Sequence, residues 1–322
     1  MNDWVRARHD AWNTPHYLIN EYVQKVAGSA IANAKRLVIG QDNEVYDVST
    51  ADSRQLIVRI SRKDDPRFEA ERWAMNAARR AGVPTPQVLL VEQATYDDSS
   101  VTFCIEEKLP GKPLDVLLAD GRNNVVDEAI DQIGEVLNQL HGVKVDGFGY
   151  LDPNGKGPLK SFAERMRTIN EQRDELYEAA KKWNVQTKDI TTGLALLNDH
   201  KELYQFDTPS LIHGDFAPKH ILISGNRISG VIDMQDCSGN HPVFDFVTWD
   251  MYSSKLIPTS RIVASYCNQS LFGGDYDALF HLVLLRGSLV MLMVQAADEN
   301  PNSIQVFIAE MERALKYFAK TS

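Results

Sequence analysis

The apolar pattern changes character at Leu109-Pro110-Gly111. Upstream, short β-branched runs alternate with turn residues. Segments 37–39 and 45–48 flank Gly40-Gln41-Asp42-Asn43, which reads as a turn because Gly, Asn and Asp tolerate positive φ. A third strand covers 55–60, and two more cover 87–92 and 101–107, joined by Asp97-Asp98-Ser99-Ser100. A helix at 15–27 precedes them. Another follows the third strand, with Pro66 in its first turn and Phe68, Trp73, Ala77 and Ala78 on its apolar side. Gly82 and Pro84 end it.

Downstream of the break the period becomes helical. Segment 125–141 places Ile130, Ile133, Val136, Leu137 and Leu140 on one face, which predicts a single amphipathic helix. Helices are also expected over 158–182 and 188–204. A β island spans 211–233, and helices fill 244 to the end. This order predicts an α+β chain of two lobes. The first, 1–107, is a small antiparallel-sheet lobe with one main helix; the second, 108–322, is larger and mainly helical.

At ~150 residues per domain, 322 residues agree with two such units. Thirty-four basic against 44 acidic residues leave a net charge of −10, which argues against a nucleic-acid binder and suits a cationic small molecule. Cys104, Cys237 and Cys267 are too few for a disulfide framework and have no metal-ligand spacing. They read as reduced, mostly buried thiols of a cytoplasmic protein. The charged first ten residues do not read as a signal peptide. The apolar run 279–297 contains His281, Arg286, Gly287 and Ser288, which predicts a buried helix rather than a membrane span.

The chemistry concentrates between residues 211 and 233. Segments 221–224 and 228–232 flank Gly225-Asn226, a hairpin signal. His213, Asp215 and His220 lie on the loop entering the hairpin, and Asp233 lies at its exit. The hairpin therefore brings acid, base and metal-ligating groups together.

His213-Gly214-Asp215, His220 five residues after Asp215, and Ile232-Asp233 beyond the next strand make the chain resemble the aminoglycoside phosphotransferase family, antibiotic kinases with a bilobal protein-kinase-like fold. The resemblance covers most of the chain. It implies that the first hairpin, with Gln41, Asp42 and Asn43, covers a nucleotide. Arg59, in the run Val58-Arg59-Ile60, matches the phosphate-binding base. Glu71 matches the helix carboxylate that holds it, with Glu69 as the neighbouring rival. The run from Cys104 to Gly111 resembles the interlobe hinge, where Glu107, Lys108 and Leu109 would receive the base of the nucleotide. Leu140-His141, Asp146-Gly147-Phe148-Gly149 and Pro242-x-x-Asp245 match further family positions.

The implied chemistry is transfer of the γ-phosphoryl group of ATP or GTP to a hydroxyl. That reaction needs in-line positioning and charge neutralisation. Asp215 would orient the hydroxyl and accept its proton. Asp233 and His220 would hold Mg²⁺, and Arg59 the α/β-phosphates. His213 and Asp245 read as structural supports of the loop.

Three positions depart from the commoner pattern. His220 stands for Asn, as in macrolide-type kinases of the family. Met234-Gln235-Asp236 replaces Trp-Gly-Asp or Trp-Ser-Glu, and Lys219 either touches a phosphate or points into solvent. Thr102-Phe103-Cys104-Ile105, Gly147-Phe148-Gly149 and Phe244-Asp245-Phe246 resemble hygromycin-type kinases. An aminoglycoside is the first acceptor expected, with Glu164, Asp250, Asp275 and Asp298 as candidate ammonium ligands. A macrolide would instead need walls such as Trp249, Tyr252, Leu289 and Met293. A choline, homoserine or sugar kinase and a nucleotide-binding pseudokinase are the alternatives. No nucleic-acid or membrane partner is expected, and the chain is expected to be a monomer or homodimer.

Overall fold

Strand β3 (Gln55–Ser61) organises the smaller lobe, because its two faces do different work. The computed structural model describes residues 3–38, 40, 42–97, 99–121, 123–297 and 303–321; Gln41 and Asp298 lie outside them. Helices α1 (Asp3–Asp10) and α2 (His16–Ala27) lead into β1 (Ile31–Leu37), β2 (Asn43–Thr50) and β3. Helix α3 (Phe68–Arg80), β4 (Val88–Tyr96) and β5 (Ser99–Glu107) follow. The strands form one antiparallel sheet in the order β1-β2-β3-β5-β4. Leu56, Val58 and Ile60 join Phe103, Ile105 and the α2 residues Ile19, Tyr22 and Val23 in one core. Arg59 points the other way, toward α3, with its Cζ 5.0 Å from the centre of the Phe68 ring.

Beyond β5 the chain becomes mainly helical. A short β6 (Lys112–Pro113) leads into α4 (Leu114–Ala119), α5 (Asn123–Ile130) and α6 (Ile133–Gly142). Then come β7 (Gly149–Tyr150), α7 (Phe162–Arg167), α8 (Arg173–Lys182) and α9 (Thr187–Asp199). The β island follows as β8 (Ser210–Ile212), β9 (Ile221–Ser224), β10 (Arg227–Val231) and β11 (Ser238–Asn240). Helices α10 (Val243–Ser253), α11 (Thr259–Ser265), α12 (Tyr276–Ala297) and α13 (Ile304–Thr321) complete the fold. Two three-stranded sheets, β10-β9-β6 and β7-β11-β8, frame the segment that carries the candidate chemistry.

The expected α+β architecture is present, with several corrections. The predicted helix over 125–141 is two helices. Gly134 approaches α11 so closely that a Cβ there would lie 2.4 Å from Ile262 O, and its amide donates to Ser265 Oγ (3.1 Å). The side chain of Gln132, at the break, spans Glu128 O and Asn226 O. Segment 158–182 is likewise broken. Leu159 exchanges backbone hydrogen bonds with Phe148, Ser161 caps α7 by accepting from Glu164 N, and a 3₁₀ turn Thr168–Gln172 separates α7 from α8. Pro66 precedes α3 rather than starting it; its carbonyl accepts from Gln235 Nε2 (2.6 Å).

Helix α12 is long and apolar enough to cross a bilayer by length and composition, yet 61% of its most apolar window is buried within the fold. It packs on α8, α9, α10 and α13. Cys104 and Cys237 are buried, Cys267 is exposed, and all three are free.

Candidate active site

The loop between β8 and β9 is held from below by Asp245 of α10. Its Oδ1 accepts from Gly214 N and its Oδ2 from His213 N, both at 2.9 Å. His141 Nε2 lies 3.1 Å from the same Oδ2. Burial opposes the charge on Asp245, but its hydrogen bond and proximity to His141 dominate and lower its pKa. His213 Nε2 donates to Ile232 O (3.0 Å), and its Nδ1 accepts from Asp215 N (3.3 Å). Burial and the neighbouring His220 lower the pKa of His213, which suits a neutral structural ring. Gly214 has φ +89°, and a Cβ there would lie 2.1 Å from Asp236 O, so only glycine fits.

This scaffold presents Asp215 and His220 side by side. His220 Nδ1 donates to Asp215 O (2.9 Å), which leaves Nε2 facing Asp233 Oδ2 at 3.3 Å. Such a backbone contact at one ring nitrogen orients the other for a metal. Asp233 is held in the left-handed region at φ +63°, an uncommon conformation outside glycine. Burial works against its ionisation, but Arg59 and His220 outweigh that and hold its carboxyl well below the usual range. Asp233 Oδ2 is an oxygen donor that suits Mg²⁺. Burial opposes charge on His220, but Asp233 and Asp215 raise its pKa, and its Nε2 can join a metal only in the neutral form. Among the described residues no set of three or more His, Cys, Asp or Glu forms a metal cage. Mg²⁺ in phosphoryl-transfer sites needs none, since phosphates and waters complete its shell.

Arg59 connects this group to the smaller lobe. Its Nη1 lies 2.8 and 2.9 Å from the two Glu71 oxygens, and its Nη2 lies 3.1 Å from Asp233 Oδ1. Glu71 Oε1 also accepts from Met234 N (2.9 Å), so α3 grips the backbone beside Asp233. Glu69 instead pairs with Arg72 at the surface. Met234 is fully buried in the core, and Gln235 bridges outward, taking Asn43 Nδ2 (2.9 Å) while donating to Pro66 O. The Met234-Gln235 departure therefore fastens the first hairpin to the strand exit. The side chain of Asn43 is committed to that bridge, and Asp42 pairs with Lys63 (2.9 Å).

At the hinge the side chains of Glu107 and Lys108 are exposed, and Lys108 Nζ pairs with Asp47 (2.7 Å). Glu107 N donates to Gln87 O and Lys108 N to Gln55 O. Leu109 packs against the bare Cα of Gly230.

A model of a phosphotransferase enzyme family matches residues 33–279. The chain belongs to that family. This phosphotransferase also shares its fold with solved structures of low identity. A thermostable mutant of the aminoglycoside phosphotransferase APH(4)-Ia, in ternary complex with ADP and hygromycin B, is 16% identical with a TM-score of 0.76, covering 92% of this chain and 98% of that one. A putative fructosamine-3-kinase from Thermobifida fusca is 21% identical with a TM-score of 0.66, covering 92% and 98%. The GDP complex of an aminoglycoside 2'-phosphotransferase-IIIa mutant is 19% identical with a TM-score of 0.63, covering 96% and 100%. No curated protein matches the sequence.

The structure adds residues to the site that the sequence did not single out. Glu106 is 5% exposed and lies 3.7 Å from Arg59 Nη1, on the same face of β5 as Cys104. Strand alternation was the available signal, since Arg59 pairs with Cys104 and Glu106 is two residues on. Burial pushes Glu106 up to about 8, against the pull of Arg59. Asp236 sits near Asp215 and Asp233, and burial and their charges raise its pKa. Of the nominated acceptor groups, Asp250 is tied to Thr259 and Arg313, Glu164 accepts from Lys160 N, Asp275 is exposed, and Trp249 and Leu289 are fully buried.

Proposed function

We propose that this phosphotransferase moves the γ-phosphoryl group of ATP or GTP to a hydroxyl of an amine-bearing small molecule, with aminoglycosides as the first acceptor class to test. The observation that carries this is the unbroken line of contacts Glu71–Arg59–Asp233–His220–Asp215, which runs from the smaller lobe to the catalytic loop. The division falls at Glu107, giving a nucleotide lobe of 1–107 and a catalytic lobe of 108–322 with the nucleotide between them.

Asp215 receives the proton of the acceptor hydroxyl as the oxygen attacks. Arg59, fixed by Glu71, carries charge to the nucleotide phosphates. Asp233, with neutral His220 beside it, would hold Mg²⁺, which would supply charge neutralisation at the phosphates. The base of the nucleotide would dock at Glu107, Lys108 and Leu109 through their backbone carbonyls and the Leu109 amide, since the Glu107 and Lys108 amides already donate to Gln87 O and Gln55 O. Full burial removes Trp249 and Leu289 from a candidate macrolide wall, while Tyr252, exposed and near Asp215, remains available to either acceptor class. An amine-bearing acceptor is put first because solved structures of the same fold include an aminoglycoside kinase with hygromycin B bound, and because the chain carries a net charge of −10.

The test is an acceptor screen with Mg²⁺ and ATP or GTP in parallel, read as nucleoside-diphosphate release. Turnover that depends on an amine-bearing acceptor, needs Mg²⁺ and disappears in Asp215→Asn is the expected result. Nucleotide binding without turnover of any acceptor would overturn it in favour of a pseudokinase.

A further inference from the structure

Two arginines lie over Tyr150, the last residue of β7, and a third lies near them. Arg67 Cζ lies 4.2 Å from the centre of the Tyr150 ring, and Arg165 Cζ lies 5.5 Å from the same ring and 5.9 Å from that of Phe244. Phe244 neighbours Asp245, which grips the catalytic loop. Strand β7 is joined through β11 to β8, which feeds that loop. Arg286 of α12 completes the group; it is 6% exposed and lies close enough to Arg165 for their charges to repel. The group borders the candidate site, because Arg67 donates to Cys237 O (3.0 Å) and its charge reaches Asp236.

Among the described residues, Arg165 and Arg286 have no carboxylate near them, and the half-buried Arg67 has only Asp236. Arg67 donates to the carbonyls of Leu151 and Cys237, and Arg286 to Thr168 Oγ1. The Nε atoms of Arg165 and Arg286 are buried without hydrogen-bond partners. Among the described residues no carboxylate lies within 4.0 Å of any of the three. The chain is not short of acids, with 44 of them. The more exposed Arg261 and Arg313 each hold two: Asp127 and Asp131, and Asp250 and Glu310. Burial lowers the pKa of both Arg165 and Arg286, and a neighbouring arginine adds to the shift in each. A guanidinium does not relieve such strain by losing its proton. A buried, uncompensated charge is costly, and an anion arriving from solution removes that cost.

We propose that Arg67, Arg165 and Arg286 form an anion subsite at the acceptor end of the cleft, and that the acceptor carries an oxyanion, a carboxylate or phosphate monoester, besides its reactive hydroxyl. This rests on the phosphotransfer reading and narrows its amine-bearing acceptors to those that also carry an anion, a class that excludes the simple aminoglycosides. Asp236 lies beside Arg67, where the arginine group meets the candidate site, so one acceptor could present an anion to the arginines and an ammonium to the carboxylates. Tyr150, half exposed, offers its ring to the stem of the molecule.

Inorganic phosphate and acetate are titrated into the protein at constant ionic strength, with Mg²⁺–ADP saturating, and binding is read by calorimetry. Acceptors are then compared as pairs, each acid against its uncharged amide and each phosphate monoester against the free alcohol. The expected result is saturable anion binding, weakened about tenfold or more in Arg165→Gln. KM should rise by a similar factor for the anionic member of a pair only, with kcat retained. Arg67→Gln, on a different element, should act in the same direction if Arg165→Gln folds poorly. Phosphate or acetate binding no tighter than chloride, or equal binding in wild type and both variants, would overturn the subsite. Anion binding that needs Arg165, without turnover of any acceptor, would uphold the subsite and sink the phosphotransfer reading beneath it.

Discussion

Lys219 Nζ lies 2.9 Å from Asp215 Oδ2, four residues along the same loop. Its half-exposed ammonium pairs with the carboxylate proposed to take the acceptor's proton. Asp215 is thereby held at both ends, with its carbonyl on His220 Nδ1 and its side chain on Lys219.

Replacing this ammonium should disturb the reaction more than the fold. Lys219→Met is expected to lower kcat several-fold with little change in acceptor KM, and Lys219→Arg to restore part of the loss. Asp215→Asn should cost roughly 10²–10⁴-fold. Because the Lys219 side chain is 54% exposed, the stability change should stay within about 0.5 kcal/mol. Steady-state kinetics with denaturant melts on the same samples checks both parts.

Glu106 predicts a pH dependence of stability. Arg59, Glu71, Asp233 and Cys104 are the ionisable groups around it. Burial raises its folded-state pKa to about 8, so the folded protein favours the protonated acid. That contribution is fully present below the unfolded carboxylate pKa of about 4.3 and is lost as pH rises through about 8. The slope should reach at most about 1.4 kcal/mol per pH unit. Glu106→Gln should flatten the fall in melting temperature between pH 5 and 8; an unchanged slope would remove Glu106 as its source.

Arg59 holds Glu71 and Asp233 and lies beside Glu106. Arg59→Met should therefore destabilise by about 3–5 kcal/mol, because it leaves buried carboxylates unpaired. Arg59→Lys should recover part of that, without the two-ended geometry. Urea midpoints, with nucleotide binding measured in parallel, report both effects.

Gly214→Ala should be inactive and less stable. The left-handed backbone alone costs about 1–3 kcal/mol for a residue with a side chain. The added Cβ would also collide with Asp236 O, so the loop must shift away from Asp245. A retained kcat in a folded Gly214→Ala protein would show that the loop tolerates the shift.

Where a signal was local, it was legible in the chain. Four of the five strands of the smaller lobe followed from β-branched runs and turn residues; the first was expected at 37–39 but is Ile31–Leu37, whose polar run Asn33-Ala34-Lys35-Arg36 carries no strand pattern. Arg59 stood out as a charge in an apolar strand. Asp215, His220 and Asp233 were marked by their spacing around one hairpin. The broken helices over 125–141 and 158–182 were not legible. Gly134 and Leu159 take hydrogen-bond partners outside their own segments, and periodicity reports only which face is apolar.

Order along the chain was enough to define an antiparallel-sheet lobe, a helical lobe and the loop between them, because β-alternation, helical period and turn chemistry act over a few residues. The site's partnerships arise only on folding. Gln235 meets Asn43 across 192 positions, and Arg59 meets Asp233 across 174. The burial of Glu106 and the unpaired charges of Arg165 and Arg286 depend likewise on which distant groups share one low-dielectric space. No local pattern encodes that proximity, yet it governs the charge and hydrogen bonding of every group at the site.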